Sequence, residues 1–184
     1  MDRRTRMLSL AIVAAIVTVV VCAGCTSNSQ SATSTTPPGF VLYTNKDAGV
    51  EINYPSDWQV TGNPVQGAIA EFQQGNKSTL QIQTGVLNKS GESAQSLAPA
   101  LISLVEKSNS TVRLLQNQTA SLAGQPGYQI VFSISNPDGT QYKELMTWTV
   151  KGASVYMIEF AGPSDLYDQQ LSTAQQMIAS FRLV

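Results

Sequence analysis

From residue 40 onward, apolar and polar positions alternate in short runs separated by turn residues. Phe40 to Thr44 reads as a first strand, and Asn45 to Gly49 as a turn. Val50, Ile52 and Tyr54 then share one face of a second strand, with Glu51 and Asn53 on the other. Pro55-Ser56-Asp57-Trp58 closes this strand in a tight corner, with Trp58 packed as a plug. Residues 68 to 73 and 78 to 86 pair as a hairpin across Gln74-Gly75-Asn76-Lys77. In the second of these strands Leu80, Ile82, Thr84 and Val86 face one way.

The period then changes. Leu97, Leu101, Leu104 and Val105 form a single helical stripe. Proline is tolerated in the first turn of a helix, so Pro99 puts the start close by, with Ser96 as N-cap and an end near Lys107 or Ser108. A long strand from Val112 to Leu122 follows, then a turn over Ala123 to Gly127. Tyr128, Ile130, Phe132 and Ile134 line the next strand. Asn136-Pro137-Asp138-Gly139 turns the chain, because Pro presets φ and Gly accepts a positive one. Thr140 to Val150 returns with Tyr142, Met146, Trp148 and Val150 on one face. Ser154 to Phe160 follows, with Tyr156, Ile158 and Phe160 inward. A closing helix carries Tyr167, Leu171, Ala174, Ile178 and Phe181. Ser164 or Asp165 caps it behind Pro163, Asp165 and Asp168 suit its positive end, and Leu183 and Val184 dock on the sheet. Short turns require antiparallel pairing, so the fold class is α+β, an antiparallel sheet flanked by helices.

The first 39 residues have another pattern. Arg3, Arg4 and Arg6 precede an uncharged, mostly apolar run from Leu8 to Val21, and then Cys22-Ala23-Gly24-Cys25. This is the layout of a secretory signal. Ala23-Gly24-Cys25 resembles the lipobox of prokaryotic lipoproteins, in which the cysteine is lipidated and becomes the new N-terminus. Cys22 departs from it, standing where an aliphatic residue is usual. Residues 1–24 are therefore expected to be a signal peptide, and Cys25 the lipidated residue. The alternative is a signal retained as a membrane anchor. Both hold the domain on the outer face of a membrane. Arg3-Arg4 is a weak twin-arginine feature. Residues 25–39 are rich in Ser, Thr and Pro and carry no charge, which is the composition of a flexible tether. Residues 40–184 form the single folded domain.

Composition excludes several functions. The chain has 184 residues, net charge −1 and only 12% charged residues. No basic face invites nucleic acid. There is no histidine, and both cysteines lie at or before residue 25. A Ser-His-Asp triad, a Cys-His dyad and a histidine zinc site are ruled out. No phosphate-binding loop occurs, because Gly124-Gln125-Pro126-Gly127 has the wrong spacing and no lysine.

Some candidates survive. Asn76, Asn88, Asn109 and Asn117 each begin an N-x-S/T sequon and are candidate glycosylation sites, with Asn88 and Asn109 in expected loops. Glu144 and Glu159 lie inside strand patterns as potential cross-strand neighbours. They suit acid–base work or a cation, or stand beside Lys143, Lys151 and solvent. Asp47, Asp57 and Asp138 fall in turns without the dense spacing of a calcium loop. Trp58, Trp148 and the tyrosines could form a sugar or partner platform, but the alternation turns Trp148, Tyr128 and Tyr156 inward.

The stretches GVEINYPSDWQV, AGQPGYQIVFSI, YKELMTWTVKGASVYMIEF and YDQQLSTAQQMIASF together resemble the PsbP-related domain of the Mog1/PsbP-like fold, over residues 40 to 184. The resemblance implies an α-β-α sandwich around an antiparallel sheet, usually without enzymatic activity. In that family, photosynthetic members assist the oxygen-evolving centre, cyanobacterial members are lipoproteins, and another branch binds the GTPase Ran. Similar domains with lipoprotein-like leaders occur in archaea. With no histidine here, a metal role resting on histidines does not carry over. No catalytic, cofactor-binding or metal-binding residue is assigned, and no cofactor is expected. The expected function is a membrane-anchored, outward-facing, non-enzymatic module that binds or supports a protein partner. The alternative is a surface lipoprotein that binds a small ligand or cation.

Overall fold

The computed structural model describes residues 36–62, 64, 67–75, 77–108 and 111–184. Cys25, Asn76, Asn109, the signal region and all but the end of the tether lie outside them. Among the described residues, ten strands and two helices follow in order: β1 (Phe40–Asn45), β2 (Val50–Pro55), β3 (Gln59–Gly62), β4 (Ala68–Gln74), β5 (Ser78–Val86), α1 (Ala94–Ser108), β6 (Val112–Leu122), β7 (Gln125–Ser135), β8 (Gln141–Lys151), β9 (Ser154–Pro163), α2 (Ser164–Ser180) and β10 (Arg182–Leu183).

The strands divide into two sheets. β3-β4-β5-β9-β8-β7-β6 make a seven-stranded sheet and β1-β2-β10 a three-stranded one. All pairings are antiparallel. The two faces of the large sheet bury different clusters, because successive side chains point to opposite sides. On one face Phe72, Leu80, Ile82, Leu145, Ile158 and Phe160 pack with Tyr167, Ala174, Met177 and Phe181 of α2 and with Val50 and Ile52 of the small sheet. On the other, Ile130, Phe132, Met146, Trp148 and Met157 pack with Ala94, Ala98, Leu101 and Val105 of α1. The result is a layered α+β sandwich with the large sheet in the middle.

Several local expectations change. α1 starts five residues before Pro99, and its cap is Ser93, not Ser96. The Ser93 Oγ accepts from the Ser96 N–H at 3.0 Å, and the Ser96 Oγ accepts from the Ser93 N–H at 2.9 Å. This reciprocal pair satisfies two donors and moves the buried stripe to Ala94, Ala98, Leu101 and Val105. The turn after β6 is only Ala123-Gly124, both at positive φ, so β7 begins at Gln125 rather than Tyr128. α2 follows Pro163 without a side-chain cap, and Asp168 instead pairs with Lys143. Gly49 has φ 63°, and a Cβ there would lie 2.8 Å from the Val184 carbonyl oxygen. The absent side chain lets the C-terminus close over the β1–β2 turn, with the Val184 N–H donating to the Gly49 carbonyl at 2.9 Å.

Candidate functional site

Glu144 on β8 and Glu159 on β9 are brought together. In the ladder Met146 faces Glu159 and Glu144 faces Ala161, so the two glutamates are diagonal neighbours on one face. The face is the one α1 packs on, shared with Met146, Trp148 and Met157. Both side chains are buried, at 3% and 7% exposure. Along the same row, Gln81 of β5 faces Glu159, and Glu71 of β4 faces Gln81. Gln83 lies one step along β5. Its Nε2 donates to Glu159 Oε2 at 3.3 Å and to Gln81 Oε1 at 2.6 Å. Gln73 Nε2 donates to Glu71 Oε1. The Gln81 amide nitrogen is buried without a partner.

Burial pushes the Glu159 carboxyl up to about 7, and the nearby Glu71 charge adds to the rise. Hydrogen bonds with Glu144 and Gln83 offset part of it. A hydrogen bond between two carboxyl groups requires a proton on one of them, so the pair holds a proton into the neutral range. Glycosidase carboxyl pairs stand about 5 Å or more apart across an open cleft, to admit a sugar oxygen or water. Here the carboxyl groups bond to each other inside a packed face. Among the described residues no group of three or more acidic side chains is arranged to hold a metal ion.

Neither expected lysine joins the pair. Alternation sends Lys143 to the opposite face, where its Nζ meets Asp168 at 3.0 Å and lies 5.5 Å from the centre of the Tyr167 ring. Lys151 is exposed at the end of β8. Burial pushes the Tyr167 hydroxyl up to about 12, with the Asp168 and Glu144 charges adding to it. Trp148 is core, and its indole N–H donates to the Ala94 carbonyl at 2.8 Å. Tyr128 packs on it, with ring centres 5.4 Å apart. Asp138 holds its turn by accepting from the Thr140 N–H and Oγ1, which lowers its carboxyl. Asp47 is exposed in its turn. Asn88 is exposed in the bend after β5, while Asn117 is exposed within the edge strand β6, not in a loop.

Sequence reasoning missed Gln81 and Gln83. Their alternation with Leu80 and Ile82 reads as one wet face, but β5 sits between β4 and β9, and Gln81 and Gln83 are 5% and 4% exposed. Both faces of the large sheet are covered by packed layers, which alternation along one strand does not reveal.

Comparison with known proteins agrees with the layered sandwich. The cyanobacterial PsbP (CyanoP) from Synechocystis sp. PCC 6803 superposes with a TM-score of 0.63 at 15% identity, covering 85% of this chain and 98% of that one. LpqN of Mycobacterium tuberculosis, a protein involved in cell envelope biogenesis, superposes with a TM-score of 0.62 at 14% identity, covering 78% of this chain and 89% of that one. At such identities the likeness is one of fold. No curated protein matches by sequence. Residues 38–183 match the PsbP family, and the chain belongs to that family.

Proposed function

We propose that this PsbP-family domain is a non-enzymatic module, held on the outer face of a membrane, that binds or supports a partner protein. The observation that carries the reading is the sealed state of the Glu144–Glu159 pair. The carboxyl groups most suited to chemistry bond to each other within the packed sheet face, so the domain offers its surface rather than a reaction chamber. Among the described residues no helix is long and apolar enough to cross a membrane. In this reading attachment comes from the leader, through a lipid on Cys25 or a retained signal anchor. The envelope role named for LpqN, a protein of the same fold, is in keeping with an outward position.

The test has two arms. Intact mass of membrane-extracted protein should match a chain that begins at an acylated Cys25, and Cys25→Ser should block that processing. A mature chain that begins at Met1 would overturn the lipid anchor. Crosslinking at the native cell surface should join the domain to a specific neighbour. Hydrolytic turnover that is lost in Glu159→Gln would overturn the non-enzymatic reading.

A further inference from the structure

On the opposite side of the large sheet from the carboxyl pair, a small groove opens between α2 and the corner of the two sheets. It is lined by Phe40 and Pro55 from paired positions of β1 and β2, Asp57 and Trp58 from the corner after β2, Gln74 at the end of β4, and Gln170, Thr173 and Gln176 of α2. The cavity is about 170 Å³. The Gln74 Oε1 is buried and accepts no hydrogen bond. A buried acceptor left unpaired costs on the order of 1–3 kcal/mol, and turning the Gln74 amide into the groove to meet a donor from outside would relieve that cost. Asp57 is exposed and supplies the only formal charge among the lining residues. Phe40 and Trp58 add aromatic wall.

From these features we infer that the groove receives an arginine side chain of the partner polypeptide, an inference that rests on the partner-binding reading above. A guanidinium is rich in donors and accepts nothing, which suits a carboxylate and an unpaired carbonyl. It also stacks on aromatic walls and is enriched at interface anchor points. An anion finds no lysine or arginine in the lining. A calcium ion is held chiefly by several carboxylates, and the lining has one. The volume is smaller than the ~300 Å³ at which small-molecule pockets begin, so one inserted side chain fits better than a whole free ligand.

The experiment uses the full membrane-extracted chain in detergent micelles and reads tryptophan fluorescence. Trp148 has no exposed surface, so Trp58 is the reporter. A capped Gly-Arg-Gly peptide should give a saturable change, and the same peptide with citrulline in place of arginine should give none. Asp57→Asn should weaken half-saturation about fivefold. Gln74→Leu should remove the response while raising the unfolding temperature, since it deletes the unpaired acceptor and keeps the volume. An equal response to citrulline, or unchanged binding in both variants, overturns the inference. A photo-crosslinker at Gln176 separates this result from the broader reading. A partner captured elsewhere on the surface, undiminished by both variants, sinks the groove alone. Peptide binding with no surface neighbour at all sinks the partner reading and leaves the groove.

Discussion

The Trp148 indole N–H reaches across to the Ala94 carbonyl at 2.8 Å, joining the middle of β8 to the first residue of α1. Trp148 has no exposed surface and packs against Tyr128 with ring centres 5.4 Å apart. One side chain thus fills the α1 side of the core and sets where the helix begins. Trp148→Phe removes the donor and part of the ring. The expected loss is about 2–4 kcal/mol, combining a cavity with a deleted buried hydrogen bond. Urea unfolding checks it. A loss below about 0.5 kcal/mol would mean that the bond and the packing contribute little.

The carboxyl pair makes a pH prediction with a definite sign. The Glu159 carboxyl stands at about 7 in the folded domain against 4.5 for the ordinary group. The folded state therefore holds the proton more tightly. That stabilisation is fully present below 4.5 and is lost as pH rises through 7. Between pH 6 and pH 8 the domain should lose about 1 kcal/mol, or a few degrees of unfolding temperature. Glu159→Gln keeps the shape and removes the titration, so its stability should be nearly flat over that range. A variant as pH-sensitive as the parent would show that the dependence arises elsewhere.

Helix α1 allows the cap assignment to be tested directly. Ser93→Ala should cost about 1 kcal/mol, because it leaves the Ser96 N–H without its acceptor. Pro99 is exposed on the outer face, well inside the helix. Proline there removes an intrahelical donor, so Pro99→Ala should stabilise by about 1–3 kcal/mol. Thermal unfolding of both variants decides the matter. A destabilised Pro99→Ala would mean the proline has a packing role.

These elements also show where the sequence was readable. Long alternating runs such as Tyr128, Ile130, Phe132 and Ile134 placed their strands on the correct face, because a one-residue slip would have exposed the whole set. The stripe of α2 was equally clear, apart from the buried Met177. β3 was invisible, since Gln59–Gly62 is short, exposed along its length and paired in the sheet on one side, with β4. Pro99 misled the start of α1, because a tertiary contact from Trp148 and the Ser93–Ser96 cap outweigh its local cost. At the candidate site the two glutamates could be read as neighbours from their strands. The departure of Lys143 to the other face follows from its place beside Glu144 in an alternating strand. The glutamine frame depends on strand order, and no local pattern encodes that order.

The C-terminus hangs on one glycine. Val184 and Gly49 are joined by the Val184 N–H at 2.9 Å, and Leu183 pairs with Val50 in the ladder. Gly49→Ala meets two obstacles at once: φ is 63°, and the new Cβ would lie 2.8 Å from the Val184 carbonyl oxygen. A left-handed conformation costs an alanine about 1–2 kcal/mol, and the clash must be relieved by movement of backbone, not of a flexible side chain. The movable backbone is β10, which pairs over only Arg182–Leu183. The substitution should therefore release the last residues before it unfolds the domain. Amide exchange at Val184 should accelerate at least tenfold, while Ile158 and Phe160 in the centre of the large sheet change far less. Equal acceleration at all three would mean that the C-terminal strand and the sheet open as one unit.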